Sequence, residues 1–108
     1  MIIVTCDEIP GHKIVDTVGI VRGSATRARH LGRDITALFK NIVGGEVEEY
    51  TKLLAESREQ ALDRACAQAR EMGANAITGL RYSSSMIATG VAEILVYGTA
   101  VRLGSNAE

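Results

Sequence analysis

The amino-acid sequence predicts an α+β fold, in which two central helices pack on one side of an antiparallel sheet in the order β-β-α-α-β-β. Three observations predict this fold. Runs of β-branched apolar residues lie at both ends of the chain, segments with helical apolar spacing lie in the middle, and glycines separate them. The 108 residues match the size of one domain, and no repeat or linker divides residues 1–108.

The first two elements are predicted strands. Residues 2–5 form a short β-branched run that precedes the turn signal Pro10-Gly11. A longer strand is predicted over residues 12–25, and it is interrupted by Gly19 and Gly23. A glycine within a strand indicates a β-bulge or a point where another backbone comes close.

The middle of the chain carries two predicted helices. The first is short, since the apolar residues at positions 35, 38, 39 and 42 form one helical stripe that ends before a Gly-Gly pair. The second spans about residues 46–72, and Gly73 follows it as the expected C-terminal glycine. Ala61 and Ala65 lie on its apolar face, which predicts that another element packs closely against them.

Two further strands, over residues 76–87 and 91–103, are predicted to form a hairpin. From Val91 to Tyr97 apolar residues occupy both alternate sets of positions apart from Glu93. This pattern is typical of a central strand that is covered on both faces. Because one chain has only two helices, we expect a neighbouring subunit to cover the second face, so the sequence predicts a homo-oligomer.

The charge distribution restricts the classes of partner. The net charge is −1, so no overall field favours nucleic acid or an anionic membrane. Residues 22–33 are basic and contain no acid, but they lack the aromatic residues that stack on bases, so nucleic acid is not an expected partner. Residues 46–63 are mostly acidic. Opposite patches on one chain predict a head-to-tail contact between identical subunits, which generates a ring.

The chain is expected to be cytoplasmic. It begins with a short apolar run that lacks the basic start of a signal peptide, and it contains no segment of the ~20 apolar residues that a membrane span needs. Cys6 and Cys66 are too few for a disulfide scaffold, so two free thiols are expected. No nucleophile, base and oxyanion donors come together in the pattern, and no enzymatic activity is expected.

Cys6 and His12 are the candidate metal ligands. They flank the Pro10-Gly11 turn, so they could converge, and sulfur with imidazole suits an ion such as Zn(II) or Cu(I). Their spacing matches no strong metal signature. The alternative is a small buried or interface thiol together with a solvated histidine in a turn.

Arg58 is the second candidate functional residue. At 100° per residue it lies about 40° from the centre of the apolar face of the long helix. A buried guanidinium cannot lose its charge, so it needs a partner such as Glu93 or Asp16, within the subunit or across an interface. Alternatively, Arg58 faces a pocket and binds an anion.

A set of short motifs in order along nearly the whole chain carries a family resemblance. The motifs are Pro10-Gly11, Gly19-Ile20-Val21-Arg22-Gly23, Asp34, Gly44-Gly45-Glu46, Tyr50-Thr51, Ser57-Arg58, Ala61, Gly73-Ala74-Asn75-Ala76 and Tyr97-Gly98-Thr99-Ala100-Val101. On these motifs the chain resembles the YbjQ-like family, whose members are labelled as heavy-metal-binding. The resemblance implies an α+β subunit in a homopentameric ring, and it places Arg58 within a shared motif, whereas Cys6 occupies a position where members typically carry threonine.

Two hypotheses of function follow. One is a homo-oligomer that binds a heavy-metal ion or small ligand at its subunit interfaces, and the other is a structural module that presents a ring surface to protein partners.

Overall fold

The computed structural model describes residues 1–28, 47–88 and 91–104, and it confirms the α+β class. The predicted short helix at positions 35–42 and the last four residues lie outside the described residues. The helix α1 is the long helix of the sequence prediction. The described elements are β1 (Ile2–Ile3), β2 (Ile14–Ala28), α1 (Val47–Glu71), β3 (Ala76–Ala88) and β4 (Val91–Leu103).

The sheet has four strands in the order β1-β3-β4-β2, so β4 is central. Both β2 and β3 pair with β4 in the antiparallel direction. However, β1 pairs with β3 in parallel, through Ile2 with Ala76 and Ile3 with Ile77. The expectation of a purely antiparallel sheet was therefore wrong, and the sheet is mixed. The apolar pattern of a two-residue strand carries no information on direction, and the chain through β2 and α1 is long enough for a parallel crossover.

Gly23 determines how closely α1 packs on the sheet. A Cβ atom at this position would lie 2.1 Å from the carbonyl oxygen of Ala61 and 2.5 Å from the backbone nitrogen of Ala65. Both alanines are completely buried. The backbones of β2 and α1 therefore meet where the glycine and the alanines predict a close approach. The buried residues around this contact are Val21, Ala25, Ala61, Ala65, Cys66, Ala69, Ala74, Ile77, Leu80, Ile94, Val96 and Ala100.

Gly19 lies at a β-bulge in β2, as its position within the strand predicts. The pairing of β2 with β4 shifts register between Thr17 and Gly19, and Gly19 has a φ of +149°. A residue with a side chain rarely adopts this conformation, so a glycine suits the bulge.

Among the described residues, the sheet face that lies away from α1 is covered at one end only. There the buried side chain of Ile9, from the connection between β1 and β2, packs with Ala76 and Val101. Farther along the same face Ile20 is 71% exposed and Tyr97 is 42% exposed. We call this uncovered part of the sheet the open face. It extends along the strands from the register position of Ile20 to that of Glu93.

The molecule is elongated. Its radius of gyration is 17.6 Å and its principal extents are 59 × 22 × 15 Å. A compact domain of about this length has a radius of gyration of about 13 Å. The described part of one chain therefore leaves much of its sheet without a covering layer. No helix among the described residues is long and apolar enough to cross a membrane.

Candidate functional site

Cys6 is exposed and lies on the segment that continues β1 along the edge of β3. Val4 accepts a backbone hydrogen bond from Leu80 at 3.1 Å, and Cys6 accepts one from Gly79 at 3.0 Å. The thiol of Cys6 donates to the carbonyl oxygen of Glu8 at 3.0 Å. Sheet pairing thus fixes the backbone of Cys6, while its sulfur atom faces solvent beside the acidic residues that follow it.

Arg81 anchors the same segment. One nitrogen of its guanidinium donates to the carbonyl oxygens of Thr5 at 2.9 Å and of Leu80 at 2.8 Å. The side chain therefore connects β3 to the residue immediately before Cys6. This contact gives the exposed thiol a defined position relative to the sheet, which a ligand site requires.

His12 is half-buried at the far end of the turn. Its backbone N–H donates to the carbonyl oxygen of Ile9 at 3.1 Å, and Gly11 within the turn has a φ of +81°. Among the described residues, no group of three or more His, Cys, Asp or Glu side chains is placed to hold a metal ion. Cys6 and His12 therefore do not form part of a complete ligand set within the described part of one subunit.

Arg58 is exposed on α1, although the helical periodicity placed it near the packed face. The packed face instead includes Ser57, which is completely buried and whose hydroxyl donates to the carbonyl oxygen of Leu53 at 2.9 Å. Because serine is polar, Ser57 was not counted in the apolar pattern. The predicted apolar face of α1 therefore lay closer to Arg58 than the packed face does. A small hydroxyl that bonds back within its own helix can be buried without another partner.

The surroundings of Arg58 are more acidic than basic. It lines a shallow groove along α1 together with Lys52 and with the three acidic residues of this stretch. Carboxylates at this density oppose the binding of an anion by a single guanidinium. The acidic residues of the groove are Glu56, Glu59 and Asp63.

Glu93 lies on the opposite side of the sheet from α1. It is half-buried on β4 and pairs in register with Thr26 of β2 and Ser85 of β3. The structure does not bring Arg58 and Glu93 together within one subunit. Asp16, the other candidate partner, forms an ion pair with Arg102 at 3.1 Å. Pairing of Arg58 with a carboxylate across an interface stays a prediction.

The open face contains a group of residues that sequence reasoning missed. Tyr97 of β4 pairs in register with Arg22 of β2 on one side and with Arg81 of β3 on the other. The next row along the strands places Leu95 between two serines. A tyrosine with an arginine on each neighbouring strand of the same sheet face offers stacking and hydrogen-bonding groups to a planar or anionic ligand, and one guanidinium nitrogen of Arg81 is already bonded to Thr5 and Leu80. The signal was present in the strands, but it requires the cross-strand register, which periodicity alone does not give.

A solved structure has a similar fold. It is a protein of unknown function from Pediococcus pentosaceus ATCC 25745, assigned to the DUF74 family, with a TM-score of 0.69 and 16% sequence identity. The match covers 96% of this chain and 98% of that chain. At this identity the likeness concerns the fold alone.

Curated relatives share about half of their residues with this chain. A UPF0145 protein of Pyrococcus abyssi is 54% identical over 101 residues, which cover 94% of this chain and 89% of the relative. A UPF0145 protein of Fervidobacterium nodosum is 52% identical over 108 residues, which cover 100% of both. A third, of Thermotoga maritima, is 50% identical over 103 residues, or 95% of this chain and 97% of the relative. Because the YbjQ family model, described as "Putative heavy-metal-binding", also matches residues 1–104, this chain belongs to the YbjQ family.

Proposed function

We propose that this protein acts in the cytoplasm as a ring-shaped homo-oligomer that binds a heavy-metal ion or a small anion where its subunits meet. The observation that carries this proposal is the open face of the sheet. It combines exposed apolar side chains, Ile20 and Tyr97, with the charged side chains of Arg22 and Arg81. Apolar area that surrounds fixed polar groups is typical of an interface that also holds a ligand.

The charges of the described residues favour a head-to-tail contact. Arg22 and Arg81 lie on the open face, whereas Glu56, Glu59 and Asp63 lie along the exposed side of α1, on the other side of the sheet. A rotation that places the acidic side of one subunit against the basic face of the next generates a closed ring. The resemblance to the YbjQ family sets the proposed number of subunits at five.

The ligand site is proposed at the interface because one subunit contributes too few ligands. Cys6 offers an exposed thiol with Asp7 and Glu8 beside it, and His12 offers an imidazole at the end of the same turn. A soft metal ion needs about four such donors, so ligands from a second subunit would complete the set. The family description is consistent with a metal as the ligand.

Native mass spectrometry of untagged protein, purified without chelator, tests both the number of subunits and the presence of a bound ligand. We expect the mass of a whole number of rings plus an excess that is the same in repeated preparations. Anaerobic titration with Cd²⁺ should then saturate at one ion or more per ring. A ring that takes up less than one ion and carries no other added mass would contradict the binding proposal and favour an interaction module. A monomer would contradict the proposed homo-oligomer.

Three variants separate the roles of the candidate residues. Cys6→Ser should keep the fold and the assembly while it weakens Cd²⁺ uptake, whereas Cys66→Ala, which removes a buried thiol, should leave the uptake unchanged. Arg58→Ala should dissociate the ring if Arg58 pairs with a carboxylate across the interface. If the ring stays intact but loses its ligand, Arg58 belongs to the binding site instead.

A further inference from the structure

Within the described ranges, nothing pairs with the outer edge of β3 over half of its length. Its inner edge pairs with β4 from Ala76 to Ala88, whereas β1 pairs only with Ala76 and Ile77. The segment after β1 adds hydrogen bonds to this outer edge as far as Leu80. Beyond that point no described residue forms a main-chain hydrogen bond with it. We call residues 82–88 of β3 the free edge.

A side-chain contact shows which way the backbone groups of the sheet point. The backbone N–H of Arg22 donates to the side-chain oxygen of Gln68 at 2.8 Å, so the main chain of Arg22 faces away from β4. Main-chain groups alternate in direction along an antiparallel strand, so Gly23 faces β4. The main-chain N–H and C=O groups of its register partner, Val96, must then point toward β2.

The same alternation extends to β3. If Val96 faces β2, the next residue, Tyr97, faces β3, where it pairs with Arg81. The N–H and C=O groups of Tyr82, Ser84 and Met86 therefore point outward from the sheet. These three residues present a row of hydrogen-bonding groups to any strand that approaches the free edge.

The free edge lacks the features that protect exposed strands. Residues 82–88 contain no charged residue and no proline, and Tyr82, Met86 and Ile87 are 46%, 59% and 57% exposed. Monomeric proteins protect such edges with charges, prolines or covering side chains. The outer edge of β2 has this protection, since Gln68 and Arg64 bond to its backbone. The difference between the two edges indicates that a strand covers the free edge in the working assembly.

We propose that the free edge pairs with the free edge of a second copy of this chain, antiparallel and centred on Ser84. In this register Tyr82 lies opposite the partner's Met86, so each outward-pointing residue meets another and forms a hydrogen-bonded pair. The thioether and the aromatic ring cover one another on both sides of the centre. A shift by one residue would place inward-pointing residues opposite outward-pointing ones and lose the hydrogen bonds, so the alternation excludes that shift. Among the remaining registers, the one centred on Ser84 pairs the largest side chains of the free edge, Tyr82 and Met86, with one another.

This contact goes beyond the proposed ligand site and does not depend on it. A ring uses two different surfaces of each subunit, whereas the contact at the free edge joins the same surface twice about a two-fold axis. The free edges therefore join two rings, or two single subunits if no ring exists. Either way the assembly contains an even number of chains.

Disulfide trapping in a Cys6→Ser background tests the register. At a hydrogen-bonded antiparallel pair the Cα atoms are about 5.5 Å apart, within the range for a disulfide. We expect Ser84→Cys to give a covalent dimer on mild oxidation. In the same register, two cysteines from the control Ser83→Cys would be about 8 Å apart and should not react. Equal trapping of both variants, or trapping of Ser83→Cys alone, would overturn the proposal.

A charge exchange at the paired positions tests the contact without a covalent bond. Tyr82→Lys should halve the mass of the assembly, because each Tyr–Met pair then loses its apolar contact and places an unpaired charge against a thioether. Adding Met86→Glu in the same chain places each new lysine opposite a new glutamate and should restore the full mass. An assembly that keeps its mass with Tyr82→Lys, or that stays halved in the double variant, would contradict antiparallel pairing about Ser84.

Discussion

Gly23 of β2 and Ala61 of α1 meet backbone to backbone. A Cβ atom at Gly23 would lie 2.1 Å from the carbonyl oxygen of Ala61, a separation that real Cβ atoms do not show. The atoms on the other side of this gap belong to the helix backbone, which cannot rotate away as a side chain can. The contact therefore makes the spacing between helix and sheet sensitive to one methyl group.

Gly23→Ala should strongly destabilise the fold. Overpacking of a close-packed core costs about 1–3 kcal/mol, and we expect the upper end of this range because only movement of α1 relieves the clash. Thermal unfolding at fixed protein concentration measures the effect. Ser24→Ala changes the adjacent position, whose side chain lies on the other face of the sheet, and should have little effect. Equal melting temperatures for the two variants would show that α1 does not pack on β2 as described.

Gln68 is predicted to protect the backbone of β2 at Arg22. Because the side chain of Gln68 accepts the outward N–H of Arg22 at 2.8 Å, this amide should exchange slowly with solvent. Gln68→Ala removes the acceptor, and a net hydrogen bond of about 0.5–1.5 kcal/mol corresponds to roughly 2- to 13-fold faster exchange. Gln68→Glu keeps an acceptor and should keep the protection. Amide exchange followed by NMR would count against the contact if both variants exchanged alike.

Asn75 is predicted to hold the start of β3 to the end of β4. Its side-chain oxygen accepts from the N–H of Leu103 at 2.7 Å, and its side-chain nitrogen donates to the Leu103 carbonyl at 3.3 Å. Asn75→Ala loses both bonds, and because the site is exposed we expect a loss of about 1 kcal/mol in unfolding free energy. Asn75→Asp keeps the acceptor and should lose less. Chemical denaturation compares the two, and an aspartate variant less stable than the alanine variant would contradict this role.

The sequence predicted the contacts that depend on residue type alone. Gly23 and Gly19 within a strand indicated a close approach and a bulge, and both occur. Ala61 and Ala65 on one helical face indicated a tightly packed partner, which is β2. In each case a missing side chain leaves space that only another backbone or a bulge can use, so the residue type itself carries the structural information.

Features that depend on register or on local bonding were not predictable. Tyr97 lies between Arg22 and Arg81 only because of the pairing of β4 with its two neighbours. The burial of Ser57 depends on a hydrogen bond within its own helix, and it turned the packed face away from Arg58. Apolar periodicity assigns a face to each residue of one element, but it does not specify which residues of two elements are opposite one another.

Tyr82 should ionise at higher pH than an ordinary tyrosine. Partial burial disfavours the phenolate and raises the pKa of Tyr82 above its ordinary value of 10.0. The carboxylate of Glu59 raises this pKa further, while the guanidinium of Arg58 lowers it. Between the ordinary pKa and the raised pKa the unfolded chain binds fewer protons than the folded chain, so the unfolding free energy should fall as the pH rises above about 10.

The two neighbours of Tyr82 give shifts of opposite sign. Glu59→Gln removes a negative charge and should lower the pKa of Tyr82, whereas Arg58→Ala removes a positive charge and should raise it. Ultraviolet titration of the phenolate band measures both, and the difference from Tyr82→Phe assigns the signal. Both charges lie on α1, so shifts of the same sign, or no shifts, would show that the helix does not hold Arg58 and Glu59 near β3. The opposite shifts expected would instead confirm that the groove of α1 and the start of the free edge share one electrostatic environment.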